Sequence, residues 1–449
     1  MDLRPQIHGK VKSGRRKVVV LDDDPTGTQT IHGIPVLTGW SLETLRAEFT
    51  NDLPAFYILT NSRSFTLDMA QSVSAEVGRN LCLAANRTNR QFVVVSRSDS
   101  TLRGHFPGEV NALETALGGQ FDGWIIMPFF PEGGRYTIKD IHYVAEGDRL
   151  VPAAETEFAR DRVFGYQSSD LKKWVEEKTR GQIPVKNVTS ISIEDLRQRG
   201  PEHIALLLSQ MKSGCVCIVN AVSYRDLEVF VAGLLEAEMH GKKFLYRTAA
   251  SFVQVRSGLF PRPLLEVPDL NLSDSGGGFI VVGSYVPRTT QQVDSLLSQP
   301  DIRHFEINVE ALVDEKCRQD EIERVAARVD QSLKKGRDTV VYTSRRLITG
   351  EDAQSSLAIG KSISQGLTAV LRKISASPRY ILAKGGITAS DVATEALNAK
   401  RAMVSGQILP GVPVWELGDE SRYPGMPYIV FPGNVGDSQA LVQLVNRLK

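Results

Sequence analysis

A chain of 449 residues with a net charge of +1 has no electrostatic bias toward nucleic acid or an anionic membrane surface. Its 42 % hydrophobic and 23 % charged residues fit a globular protein of two or three domains. No apolar run approaches the roughly 20 residues needed to cross a bilayer. Residues 1–16 are basic but lack the apolar core of roughly 7–15 residues that marks a secretory signal. They are expected to form a flexible N-terminal extension, and the cytoplasm is the expected location.

The first strand is expected at Lys17–Leu21, where branched apolar residues run together as in a buried parallel strand. Asp22, Asp23 and Asp24 follow at once, then Pro25-Thr26-Gly27-Thr28. Three adjacent carboxylates repel one another unless a cation, a hydroxylated ligand or N–H groups offset them. Further strands are expected at Ala55–Thr60, Gln91–Ser96, Gly123–Met127 and Cys215–Asn220. Helical spacing appears at Leu42–Phe49, Leu67–Ala85, Gly108–Leu117 and Asp226–Met239, with a shorter candidate at Ile193–Leu196. Phe129 to Gln167 is rich in Gly, Pro and charge and reads as a long loop region with at most a short strand or hairpin. Cys215 and Cys217 lie two apart on a strand, a spacing that is neither a redox nor a zinc pattern, and are expected to be ordinary buried thiols.

A linker is expected at 261–278, where Pro261, Pro263, Pro268 and Ser273–Gly278 interrupt the pattern. Strands then recur at Phe279–Ser284, Thr339–Thr343, Tyr380–Ala383 and Tyr428–Phe431, with helices at Ala358–Ile374, Ala389–Leu397 and Ser438–Leu448. The fold class is α/β: two α/β domains, residues 17–260 and 279–449, with mostly parallel or mixed sheets flanked by helices and an active site in the interdomain cleft.

Four strand ends of the first half carry polar clusters. They are Asp22–Thr26, Thr60–Ser64, Ser96–Gly104 and Pro128–Arg135. Each alone suits caps and turns. Together, at the C-terminal edge of a parallel sheet, they suit a ligand. Arg63, Arg97 and Arg103 are candidates to grip a carboxylate, and Asp23, Asp24 and Asp99 to accept sugar hydroxyls. His105 and His142 fall near this edge. In the second half, Gly385-Gly386-Ile387-Thr388 and Gly433-Asn434-Val435-Gly436 join strands to helices, as does Gly283-Ser284 before Thr289. Such junctions suit phosphate, although none matches the P-loop or the dinucleotide fingerprint. The missing fingerprint counts against an NAD-dependent oxidoreductase, which the α/β style alone would allow.

These motifs, in this order, resemble the four-carbon acid sugar kinase family, which includes threonate, erythronate and 3-oxo-tetronate kinases. The family's opening Ala-Asp-Asp-Leu-Thr-Gly-Ala is similar to Asp22–Thr28, its Ser-Arg pair to Ser62-Arg63, and Asp-Ser-Thr-Leu-Arg-Gly is unaltered at Asp99–Gly104. Pro-x-x-Pro-x-x-Gly-Arg appears at Pro128–Arg135, Gly-Ser at Gly283-Ser284 and Gly-Asn-x-Gly at Gly433–Gly436. A Gly-Gly-Glu-Thr loop is matched by Gly385–Thr388 with Ile387 at the acidic position. Pro25, Thr28, Gln29 and Thr30 also depart from the family pattern.

The resemblance implies an N-terminal domain that binds the sugar acid through Asp23, Asp24, Thr26, Ser62, Arg63 and Asp99–Arg103, namely Asp99, Ser100, Thr101, Leu102 and Arg103. It implies a C-terminal domain that binds ATP through Ser284, Gly385, Gly386, Ile387, Thr388, Gly433, Asn434 and Gly436. Asp24 is the expected catalytic group, as base or hydroxyl-orienting carboxylate, with Asp23 and Asp99 as alternatives. Mg²⁺ is expected to arrive with ATP; no dedicated metal site is expected. The expected partners are a small sugar acid and ATP, with no nucleic acid or membrane and a homodimer as a candidate assembly. A non-catalytic sugar-acid binding or regulatory protein of the same fold is the alternative.

Overall fold

The computed structural model describes residues 2–345, 348, 350 and 353–449. The chain divides into two compact units, Met1–Pro261 and Arg262–Lys449.

In the first unit the strands are β1 (Lys17–Asp22), β2 (Ile34–Leu37), β3 (Ala55–Leu59), β4 (Phe92–Arg97) and β5 (Gly123–Met127). They continue with β6 (Arg135–Ile138), β7 (Ile141–Glu146), β8 (Arg149–Pro152), β9 (Val188–Ile191), β10 (Val216–Val219) and β11 (Phe244–Thr248). The order β2-β3-β1-β4-β11-β5-β10-β9 is parallel at every described pairing. Every residue of β1 is buried, which explains its unbroken apolar run. Because β3 and β4 flank β1 on opposite sides, the chain reverses its direction of travel there. In open α/β sheets that reversal opens a crevice beyond the carboxyl ends of the strands.

Two expectations are corrected here. Residues 1–16 are not a loose extension: Arg4–Gly14 is a helix whose Arg4, Ile7 and Val11 are buried. Arg4 Nε lies 2.7 Å from Glu228 Oε1, and Lys10 Nζ lies 2.8 Å from Glu236 Oε2, so the basic residues serve to dock it. Phe129 to Gln167 is more than a loop with a hairpin, since β6, β7 and β8 form a separate antiparallel sheet. Of the paired cysteines, Cys217 is buried, with its thiol pushed up to about 12 by desolvation, while Cys215 is half-buried.

The second unit contains β12 (Phe279–Val282), β13 (Arg303–Ile307), β14 (Thr339–Thr343), β15 (Ile381–Lys384), β16 (Arg401–Leu409), β17 (Val412–Leu417) and β18 (Pro427–Phe431). Its order is β13-β14-β12-β15-β18-β17-β16, parallel from β13 to β18 and antiparallel from β18 to β16. Here β14 and β15 flank β12, making a second reversal at the end of β12. No helix among the described residues is long and apolar enough to cross a membrane.

Candidate functional site

The loops after β1, β3 and β4 are stitched together by backbone before any side chain is considered. Thr60 N donates to Asp22 O at 2.9 Å, Asp23 N to Arg97 O at 3.3 Å and Arg63 N to Asp23 O at 3.5 Å. Asp24 caps the short 3₁₀ helix Pro25–Thr28, accepting from Thr26 N at 2.7 Å, and Pro25 suits the first position of that turn.

Arg63 gathers the carboxylates. Its Nη2 lies 2.5 Å from Asp24 Oδ2 and 3.5 Å from Asp23 Oδ1, and its Nη1 lies 3.4 Å from Asp99 Oδ1. Asp23 Oδ2 also accepts from Ser98 Oγ at 2.7 Å. Arg103 Nε lies 2.8 Å from Asp99 Oδ2, which also accepts from the Thr101 hydroxyl. Burial works against the charge on Asp99, but Arg103 and Arg63 outweigh it and hold this carboxyl well below the usual range. Asp22 shows the opposite balance: it is sealed in, Arg97 offsets its burial only in part, and its pKa is driven well up.

Exposure separates the three arginines expected to grip a carboxylate. The side chain of Arg97 is 4 % exposed and faces Asp22 and Asp23, so it is interior and structural. Arg63 and Arg103 keep 15 % and 23 % exposure and can still reach a ligand.

The Asp99–Gly104 loop is fixed by side chains from distant parts of the chain. His142 Nε2 bonds Ser100 O at 2.7 Å, Tyr166 Oη donates to Thr101 O at 2.8 Å and Arg247 Nη2 donates to Arg103 O at 3.0 Å. A carbonyl only accepts, so Nε2 of His142 carries the ring proton and Nδ1 accepts from Thr137 Oγ1 at 3.0 Å. Burial lowers the His142 pKa to about 4, so the ring is neutral near pH 7. This bracing holds buried Leu102 at φ 70°, left-handed backbone uncommon outside glycine. At Gly104, φ 122°, a Cβ would sit 2.9 Å from Ser98 Oγ, 3.4 Å from Asp23 Oδ2 and 3.8 Å from Arg247 Nη2. Hydroxyl, carboxylate and guanidinium thus converge on one point that only glycine leaves open.

Sequence reasoning singled out neither Arg247 nor Glu109. Arg247 is buried under the rings of Phe106 and Trp174, 5.6 and 5.2 Å from their centroids. Glu109, in the first turn of the helix Gly108–Ala116, is hydrogen-bonded to the Ser62 hydroxyl. His105 bonds Phe65 O at 3.0 Å through Nε2 and belongs to the wall of the site.

In the second unit the three glycine loops are also brought together. Gly385 N donates to Phe431 O at 2.9 Å, and the Thr388 hydroxyl lies against Gly283. Gly385 adopts φ 114° beside Ser284, a conformation that requires glycine there. Thr289 Oγ1 donates to Gly433 O at 2.9 Å and to Ser284 Oγ at 3.1 Å. Gln292 Nε2 donates to Val435 O at 3.0 Å, and Arg288 Nη1 to Gly436 O at 3.1 Å. Lys384, buried beneath these loops, donates to Pro432 O at 2.9 Å, and burial pushes its pKa well down. Gly386 opens the helix Gly386–Asp391, Ile387 is exposed beside it, and Asn434 is half-buried in the Gly433–Gly436 turn. Backbone amides, glycines and hydroxyls gathered at a sheet reversal make a cradle suited to phosphate.

A rim of carboxylates and guanidiniums thus lies at the sheet reversal of one unit, and a phosphate-type cradle at that of the other. The model of a sugar-binding N-terminal domain matches residues 18–256, and that of a nucleotide-binding C-terminal domain matches residues 279–441. The chain belongs to the four-carbon acid sugar kinase family, which joins these two domains. It is 25 % identical to the D-erythronate kinase of Heliobacterium modesticaldum, over 96 % of this chain and 97 % of that protein. A solved protein of Salmonella typhimurium LT2 superposes with a TM-score of 0.67 at 17 % identity, over 96 % of this chain and 98 % of that one. Haemophilus influenzae protein HI1011 does so with a TM-score of 0.59 at 20 % identity, over 95 % and 99 %. Both share the fold.

Proposed function

We propose that the protein is a cytoplasmic kinase that transfers the γ-phosphoryl group of ATP to a hydroxyl of a four-carbon sugar acid such as erythronate, threonate or 3-oxo-tetronate. The observation that carries this reading is the gathering of Asp23, Asp24 and Asp99 around Arg63 at the reversal of the first sheet. Such a rim accepts hydroxyl protons on its aspartates, while the exposed edges of Arg63 and Arg103 meet the acid's carboxylate. Asp24 orients the reacting hydroxyl. Thr26, Ser62 and Ser100–Leu102 shape the pocket around it.

The amide of Gly386, the open backbone at Gly385 and the hydroxyls of Ser284 and Thr388 suit the phosphates, with the Gly433–Gly436 turn beside them. Among the described residues no group of three or more His, Cys, Asp or Glu side chains is arranged to hold a metal ion. In this reading Mg²⁺ arrives on the nucleotide and supplies charge neutralisation. Positioning and electrostatics carry most of such a transfer.

The test is ADP release on adding aldonic and oxo-acids one at a time. Release that depends on one or more four-carbon acids supports the kinase. Acid-independent release, or none, refutes it. The exposed Ile387, which stands where relatives of this pattern carry an acidic residue, favours the second reading of a sugar-acid sensor without turnover. Acid binding without ADP release would establish that reading.

A further inference from the structure

We infer that Arg345 is the cation that meets the phosphates of a bound nucleotide, an inference that rests on the nucleotide-binding reading of the second unit. The cradle around Gly385 and Gly433 is lined by amides, glycines and hydroxyls, none of which carries a charge. A nucleotide brings several negative charges to it, and a cation held at close quarters offsets them. Among the described residues, three cations donate hydrogen bonds to the loops of the cradle. Lys384 is fully buried and spends its Nζ on Pro432 O and on the face of the Phe431 ring, 3.9 Å from the centroid. Arg288 is exposed and turned to Gly436 O. Arg345 is half-buried, at once fixed and reachable.

Arg345 follows β14, and its guanidinium joins the carboxyl ends of β14 and β12. Nη1 donates to Ser284 O at 2.8 Å, Nε to Thr343 O at 3.0 Å and Nη2 to Thr343 Oγ1 at 2.8 Å. Its Cζ lies 5.9 Å from the centroid of the Tyr342 ring. The glycine loops close on the same Ser284. A Cβ at Gly385 would sit 3.0 Å from Ser284 Cβ, and one at Gly433 would sit 2.9 Å from Ser284 Oγ. Cation and cradle thus share one residue at the reversal beside β12, where open α/β sheets take their ligands.

What holds Arg345 is neutral. Its acceptors are two carbonyls and a hydroxyl, and no carboxylate among the described residues lies within ion-pair distance of it. Asp294, on the helix Pro287–Leu297, and Glu306, on β13, act on it only from farther away and do not make up for its burial. The arginines of the first unit differ: Arg63 faces three aspartates, and Arg97 and Arg103 face two each. A charge taken out of water without an opposite charge is costly, and a bound phosphate removes that cost. A guanidinium carries five N–H groups. Three are used here, which leaves one on each Nη for the two-pronged grip that suits phosphate oxygens. The three bonds fix the fork before the ligand arrives, so little order is lost on binding.

The experiment measures binding of Mg·ATP, by calorimetry, and of adenosine, by ligand-observed NMR, to wild type, Arg345→Gln and Arg345→Lys, with no acid present. Arg345→Gln is expected to weaken ATP about 10–100-fold more than it weakens adenosine, which has no phosphate. Arg345→Lys keeps the charge and is expected to lose less ATP affinity than Arg345→Gln. A Gln variant whose losses for the two ligands differ by less than about tenfold overturns the assignment, since a residue that only ties β14 to β12 would weaken both alike. A Lys variant no better than the Gln variant overturns it too. In wild type, phenylglyoxal is expected to label Arg345, read by peptide mapping, and ATP but not adenosine to block the labelling. Labelling that ATP leaves unchanged, or none at all, overturns the assignment even if Arg345→Gln does not fold. Wild type that binds no ATP overturns the nucleotide reading and this inference with it. Wild type that binds ATP through Arg345 but releases no ADP with any four-carbon acid overturns the kinase reading alone.

Discussion

Arg63 Nη2 lies 2.5 Å from Asp24 Oδ2, and the same guanidinium reaches Asp23 and Asp99, so one side chain ties the ends of three strands together. Removing it leaves three carboxylates facing one another at low exposure. Breaking a buried pair from one side typically costs about 3–5 kcal/mol. Arg63→Ala should therefore lower stability by roughly that amount, discounted for the 15 % exposure of the side chain. It should also raise KM for the acid more than tenfold with KM for ATP within about threefold. Asp24→Asn keeps the cap acceptor on Thr26 N and should fold normally with most turnover lost. Denaturant titration and steady-state kinetics on both variants check this. A near-normal kcat in Asp24→Asn would remove Asp24 from the mechanism.

His142 links the loop Asp99–Gly104 to acid stability. Its folded pKa of about 4 lies below the ordinary 6.5, so the unfolded chain binds the proton more readily. Stability from this group is whole above about pH 6.5 and is lost as pH falls toward 4. The loss is at most about 3 kcal/mol, from 1.36 kcal/mol per pKa unit. Urea unfolding of wild type at pH 7 and pH 4.5, set against His142→Gln, should show a smaller pH difference in the variant. Equal differences would mean that the ring does not titrate on unfolding in this range.

Much of this fold can be read from the chain because its central strands are continuous apolar runs. β1, β3, β4, β5 and β10 announce themselves in that way. The strands that escape reading are short or carry polar residues. β2 contains Pro35, β9 has Thr189 and Ser190 side by side between its single valine and isoleucine, and β11 ends in Arg247 and Thr248. β16 alternates buried and half-buried positions across Ser405, Gly406 and Gln407, which weakens its apolar signal. The N-terminal helix escaped because its apolar face is only Ile7 and Val11 and it docks through Arg4 and Lys10, which composition alone renders as a basic tail.

The site divides in the same way. Asp99–Gly104 is legible as a motif, whereas the residues that shape it are joined to it only by topology. His142, Tyr166 and Arg247 lie 42, 65 and 144 residues from the carbonyls they hold. Glu109 opens an ordinary amphipathic helix, and nothing in its neighbours along the chain marks it.

On the nucleotide side, Thr289 is the test of whether the cradle is built by its helix. Its hydroxyl holds Gly433 O and meets Ser284 Oγ. Thr289→Val preserves shape and removes a bond worth about 1 kcal/mol. That corresponds to roughly a fivefold rise in KM for ATP, with KM for the acid unchanged. If both Michaelis constants rose together, Thr289 would be supporting the fold at large and not the cradle.

Glu109 yields a stability prediction independent of turnover. Its folded pKa of about 7 lies above the ordinary 4.5, so the folded state resists ionising it. As pH rises from about 4.5 through 7, that resistance drains stability, at most about 3 kcal/mol and nearer 1–2 once partial exposure is allowed for. Glu109→Gln should unfold at nearly the same urea midpoint as wild type at pH 5, and at a higher midpoint at pH 8. A variant that is less stable than wild type at both values would mean that the carboxylate is held by contacts that favour its charge. A gain in stability that grows from about pH 4.5 and levels off above about 7 is the signature of a carboxyl whose ionisation the fold opposes.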